Sequence, residues 1–354
     1  MRIRLTLTLL AVIVAPVASA HHSHASLDRE DIRIMHGVVT RFMWRSPHVY
    51  LQADVLREDG RVVNYTMEMS NPMSMGRSGW DRTSLQPGDR ITWQGPHDRD
   101  PERAYMGLAW VEVEGEPRLY ASAAAQKEYV EATGGEMPDY LKEAAPPEAA
   151  TAVGEGMWSR IGADGGRFRN IYSPELIMDW PFTATARARI DAFHEGDNPI
   201  NDCVFNGPPR SILTLSNFKW TRTDDAIIID RDLWPEPRVI HLDPDAPAGE
   251  PSRLGHSTGW FEGDVLHVRT GNFIAEAWAI YWGLDSSEQM SLYERYWLAD
   301  GGMRLNVEFT VTDPQMLTEP VTMTHQWGKI SERDLIKAEC STDNANFFLT
   351  AGYE

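Results

Sequence analysis

From His36 onward, apolar and polar residues alternate along the chain with the period of a half-buried strand. Residues 37–44, 48–55 and 62–69 each place β-branched or aromatic side chains at every second position, and Glu58, Asp59 and Gly60 form a turn between the second and third. Residues 71–79 predict a short helix. The 85–95 stretch reads as a turn feeding a fourth strand, and 106–114 as a fifth. Ahead of this pattern, residues 21–35 mix charges with a few apolar positions and read as an extended arm. Five short strands with a helix between the third and fourth are the layout of a small OB-like barrel.

Residues 120–133 are alanine-rich and helical in propensity, with Gly134 and Gly135 to stop the helix. A linker rich in Ala, Pro and Glu follows over 144–156. Beyond it, residues 183–193 predict a helix, since Phe182, Ala186, Ile190 and Phe193 share one face. The remainder reads as β, with candidate strands over 211–215, 218–223, 226–231, 238–242, 265–270, 290–298, 304–312 and 321–330. Turn signals recur at Asp224-Asp225, Glu262-Gly263-Asp264 and Asp300-Gly301-Gly302. Gly156-Met157-Trp158 resembles the Gly-x-Trp that opens lipocalin barrels. The expectation is a mainly β chain, an OB-like small barrel followed by a larger, lipocalin-like antiparallel barrel with a few short helices. It divides into a leader (1–20), an OB-like domain (21–120), a helix and linker (121–156) and a barrel domain (157–354).

The leader is read from Arg2 and Arg4, an apolar run over 5–17 too short to span a bilayer, and the small residues Ala18 and Ala20. Cleavage after Ala20 would make His21 the mature N-terminus of a periplasmic or secreted protein with no membrane span. Formal charge over the 354 residues is −19, and −21 without Arg2 and Arg4. An acidic chain repels phosphate backbones, so nucleic acid is not an expected partner. The two cysteines, Cys203 and Cys340, are expected to form one disulfide in an exported protein, the rival reading being a pair of thiol metal ligands.

Five segments stand out in the N-terminal part: His21-His22-Ser23, Gly37-Val38-Val39-Thr40, Trp44-Arg45-Ser46-Pro47-His48, Gly79-Trp80 and Leu85-Gln86-Pro87-Gly88-Asp89. Through them it resembles a family of secreted bacterial proteins of unknown function. The second domain resembles the β-rich domain that often follows it, through Gly255-His256-Ser257, Gly259 to Asp264, Glu294-Arg295 and Asp313-Pro314. Ser46 departs from the pattern's usual Asn, and Gly259-Trp260 lacks the usual residue between them. The resemblance implies a fold but no activity.

Candidate chemistry comes from the residues. A terminal His21 carries an amine and an imidazole on one residue, and a further imidazole would complete a three-nitrogen site suited to Cu(II). His48 is the first choice for that third nitrogen, with His22, His24 and His36 as alternatives. Opposed to this is a solvated terminus and an ordinary strand histidine. Met67, Met69, Met73 and Met75 offer soft ligands for Cu(I), but core packing explains them better. In the second domain, His256, Glu294, Glu308 and His325 are candidate inward-facing groups. Glu294 and His325 could serve as base and acid on a small hydrophobic ligand, against the plainer reading of hydrogen-bonded partners of Arg295 or Arg304. A triad through Ser257 and His256 is disfavoured, because strand neighbours point to opposite faces. Trp278 and Trp282, four apart, suggest core packing or a short helical lid. No phosphate-cradling loop, zinc-protease motif, dithiol motif or dinucleotide fingerprint is present. The chain is therefore expected to be a periplasmic or secreted binding protein, with copper at the mature N-terminal histidine as its candidate ligand; the alternatives are an enzyme or carrier acting on a small hydrophobic ligand in the second barrel, or an interaction protein without a small-molecule site.

Overall fold

The computed structural model describes residues 26–138, 147–160, 177–214, 216–335, 337 and 339–353. The first barrel is built from β1 (Leu27–Met43), β2 (Tyr50–Leu56), β3 (Val62–Glu68), β4 (Arg90–Asp98) and β5 (Tyr105–Gly107). Its ring runs β1-β2-β3-β5-β4 and closes because β1 pairs with both β2 and β4. The β3–β5 pair is parallel and the others are antiparallel, which is the OB-like layout. The stretch read as an arm is thus the first half of β1, a 17-residue strand with register shifts at 28–32 and 39–41. A strand that serves two neighbours must bend. Gly37 sits where β1 passes from one to the other, and a Cβ there would lie 2.5 Å from the Asp54 carbonyl oxygen.

Val39, Leu51, Ala53, Tyr65, Met67, Ile91, Trp93 and Met106 fill the interior. Met69, Met73 and Met75 are also buried, so the methionines serve as packing. Helix α1 (Pro72–Arg77) joins β3 to β4, with the Asn71 side chain accepting from Ser74 N at 2.9 Å and Pro72 at its start. The expected fifth strand breaks after Gly107: β5 closes the barrel, and β6 (Trp110–Val113) returns along β4 before β7 (Leu119–Tyr120). Helix α2 (Ala123–Thr133) then ends at Gly134, which is left-handed with φ 68°.

The second barrel is larger. Its strands are β8 (Gly156–Arg160), β9 (Phe218–Arg222), β10 (Ala226–Arg231), β11 (Arg238–His241), β12 (His256–Glu262), β13 (Val265–Gly271), β14 (Ser291–Ala299), β15 (Arg304–Thr312) and β16 (Val321–Ile330). They close in the order β10 to β16, then β8 and β9, with β11–β12 the parallel pair. Helices α3 (Ala184–Asp191) and α4 (Arg210–Leu213) precede β9, and α5 (Thr342–Thr350) ends the described chain. Ala186, Ile190, Ile212 and Leu213 join the same apolar core as the barrel. No helix among the described residues is long and apolar enough to cross a membrane.

Three expectations need correction. Residues 211–213 are helical in α4, not a strand; a short apolar run has no diagnostic period, and the preceding Pro208 and Pro209 favour a turn into a helix. Strand β12 goes unread in the sequence because its inward positions carry Ser257 and Gly259 instead of large apolar residues. A side chain at Gly259 would meet Ile240 at 2.8 Å. Residues 274–282 form no helix: Trp278 has φ 54°, and both Trp278 and Trp282 are buried in the core, so no helical lid exists.

Candidate functional site

Two polar clusters stand out, one outside the first barrel and one inside the second. The first starts with His48, which stands just ahead of β2. Its Nδ1 lies 3.2 Å from the Met69 carbonyl oxygen and 3.2 Å from Glu68 Oε1. A carbonyl oxygen only accepts, so Nδ1 donates to it. Glu68 is fully buried, and its other oxygen accepts from the Tyr105 hydroxyl at 2.5 Å. Burial, and next the charge of Glu68, push the Tyr105 phenol well above its ordinary range; Tyr50 is raised for the same reasons.

This face of the barrel is covered by α5. Asn344 Nδ2 donates to the His48 carbonyl at 2.8 Å and to that of Ser46 at 3.2 Å. Phe347 packs edge-on against Tyr50 at 5.1 Å. Arg103 stacks over Tyr105 at 4.0 Å and donates to the Ala351 and Phe348 carbonyls. Ser46 also pairs with Cys340, which is disulfide-bonded to Cys203 across 137 positions. The cysteines are therefore a bridge and not thiol ligands. Leu27, near the start of β1, packs with Tyr105 and the α5 phenylalanines, so the chain enters the barrel beside this cluster.

His21, His22 and His24 lie outside the described residues. His36 is exposed on β1 and bonded to Thr92 Oγ1 at 2.8 Å. Among the described residues, no group of three His, Cys, Asp or Glu side chains is placed to hold a metal. His48 with Glu68 is thus a histidine held in place by a buried carboxylate, not a complete metal site.

Inside the second barrel, Glu294 is fully buried on β14. Arg238 on β11 donates to both of its oxygens, at 2.8 Å to Oε1 and closely to Oε2. Tyr296 donates to Oε1 at 2.5 Å, and Thr270 bonds Oε2 at 3.4 Å. Arg238 also bonds Ser257 Oγ at 3.2 Å and Thr270 Oγ1 at 2.8 Å. Burial, and then the neighbouring carboxylate, raise the Tyr296 phenol well above its ordinary range. Arg231, at the end of β10, faces the same interior.

Of the four candidates here, Glu294 and His325 point inward, whereas His256 and Glu308 point outward, as strand parity requires. His256 stacks on His241 with ring centroids 5.1 Å apart, and Glu308 pairs with Arg295 at 2.5 Å. His325 meets Trp327 edge-on at 5.0 Å. The Glu294 carboxylate bonds Arg238, Tyr296 and Thr270 rather than His325, and Ser257 faces inward away from His256. Sequence reasoning missed Arg238 and Arg231. The available signal was parity: each shares a face with isoleucines, Ile240 for the first, Ile227 and Ile229 for the second.

A separate hollow of about 810 Å³ lies between α2, β6–β7 and the 79–89 loop, lined by Val111, Val113, Leu119, Tyr129 and Val130 among others. No curated protein matches the chain. Residues 9–107, a span ending on the last residue of β5 and thus taking in every strand of the first barrel, match a family of unknown function, DUF6152.

Proposed function

We propose that the chain is an exported metal-binding protein that holds copper between a mature N-terminal His21 and His48. The observation that carries this reading is the pairing of His48 Nδ1 with the buried Glu68 carboxylate and the Met69 carbonyl. Ligand histidines in metal sites are commonly held this way, with one ring nitrogen bonded to a carboxylate or carbonyl and the other turned to the metal. Residues 21–25 extend at most about 17 Å, and they lead into Leu27, which packs in the Tyr105 cluster beside Glu68. The remaining ligands would be the amine and imidazole of His21, with His22 next in line. Cu(II) favours such a nitrogen-rich set.

The test begins with the exported protein. Its mature mass should show His21 at the N-terminus, and Cu(II) titration by calorimetry and electron paramagnetic resonance should give one tight, nitrogen-rich site. Adding one residue before His21 should abolish the tight site, and His48→Ala should weaken it at least tenfold. Binding indifferent to both changes would overturn the reading.

A further inference from the structure

The interior of the second barrel holds an unbalanced charge. Among the described side chains, Arg238 and Arg231 bring two positive charges inside and Glu294 brings one negative charge. Arg238 takes both oxygens of that carboxylate, along with Ser257 and Thr270. Arg231 is only 8% exposed, and among the described residues its guanidinium has a single hydrogen bond, from Nη1 to Ser216 Oγ at 3.2 Å. Its flat face lies over the Phe218 ring at 4.7 Å, and no carboxylate bonds it. A guanidinium has five N–H donors, so Arg231 has room for further acceptors. Glu294 attracts it, but Arg238 already holds both oxygens of that carboxylate, and a buried charge that must share its counter-charge calls for a further partner.

Two unmet donors lie close by. The indole N–H groups of Trp220 and Trp327 are buried without an acceptor. Trp327 meets Phe218 edge-on at 5.1 Å, and Trp220 meets Tyr296 at 5.0 Å, so both border the aromatic group that carries Arg231. Among the described residues, the structure thus gathers two unmet indole donors, a sparsely bonded guanidinium and one net positive charge inside walls of Trp158, Phe218, Ile229 and Phe309. A closed barrel of this size can enclose a small ligand.

We propose that the second barrel binds a monocarboxylate with an apolar tail, its carboxylate on Arg231 and its tail along the aromatic wall. A carboxylate fits because its two oxygens can take parallel N–H bonds from one guanidinium, and its single charge cancels the excess. A multiply charged anion would need more cations than the interior holds. An uncharged apolar molecule would leave the donors unmet. Burial lowers Arg231 to about 10, with Arg238 adding to that pull and Tyr296 and Glu294 opposing it, so it remains charged at neutral pH. This proposal does not depend on the copper reading.

The experiment uses the full mature chain and a matched pair of probes, decanoate and decanol, followed by calorimetry and tryptophan fluorescence. Decanoate should bind one-to-one at least tenfold more tightly than decanol and perturb the tryptophan emission. Arg231→Met should erase that preference while retaining the native circular dichroism spectrum, and Arg231→Lys should keep part of it. If the Met variant does not fold, the decanoate-to-decanol ratio in the wild type and the Lys variant decides. Equal affinities for the two probes, no binding of either, or an Arg231→Met protein that still prefers decanoate would each overturn the proposal.

Discussion

Glu68 and Glu294 are both fully buried carboxylates, yet they do different work. Glu68 faces a histidine and a tyrosine, so it orients a ring. Glu68→Gln should therefore leave the fold intact and lower Cu(II) affinity about 10- to 100-fold, the usual cost of losing a partner that orients a ligand histidine; calorimetry on the mature protein measures it. Glu294 instead neutralises Arg238 in a dry interior. Glu294→Gln should cost about 3–5 kcal/mol in urea denaturation at neutral pH, because the guanidinium stays buried beside a neutral amide. Adding Arg238→Met should restore part of that loss. Neither role could be read from the residue itself. Both carboxylates sit in strands whose parity was legible, but their partners lie on other strands.

At the level of elements, alternation located most strands correctly because their inward positions are large and apolar. β12 escaped because Ser257 and Gly259 face inward, one to bond Arg238 and the other to let Ile240 pass. Helix α5 carried no helix signal strong enough to mark it, and its position comes from contacts: Asn344 on the Ser46 and His48 carbonyls, Phe347 on Tyr50, and the disulfide just before it. That bridge closes a loop of 137 residues. Cys203→Ser with Cys340→Ser should lower stability by about 5 kcal/mol in the chain-entropy model. Hydrogen exchange should show α5 opening first in that variant, since its remaining attachments are a few side-chain contacts.

Across the whole molecule, the two barrels meet through paired polar groups as well as α5. Arg77 at the end of α1 donates at 2.9 Å to Asp232, a fully buried carboxylate just beyond β10. Burial pulls the Arg77 guanidinium down, and the Asp232 charge opposes that pull. The pH response should be set by three buried phenols. Tyr50, Tyr105 and Tyr296 hold their protons above the usual range when folded, chiefly through burial and then through nearby carboxylates. Unfolded, each titrates near pH ~10. Above that pH the unfolded chain binds fewer protons than the folded one, so stability is complete below about pH 10 and falls as pH rises beyond it. Urea midpoints between pH 8 and 11 should show this fall, with a shallower slope for Tyr296→Phe.

By itself, the sequence determined the mainly β class, the two-barrel order, the helix between the third and fourth strands, and the pairing of the only two cysteines. These follow from local periodicity, turn chemistry and a composition that left one bridge to make. Tertiary structure alone decided that His48 meets Glu68, that Arg238 claims Glu294 from 56 positions away, and that Arg231 shares the barrel interior with that pair. Such pairings depend on how strands far apart in sequence align when a sheet closes on itself. Alternation tells which side of a strand a residue faces, but only closure tells what it faces there.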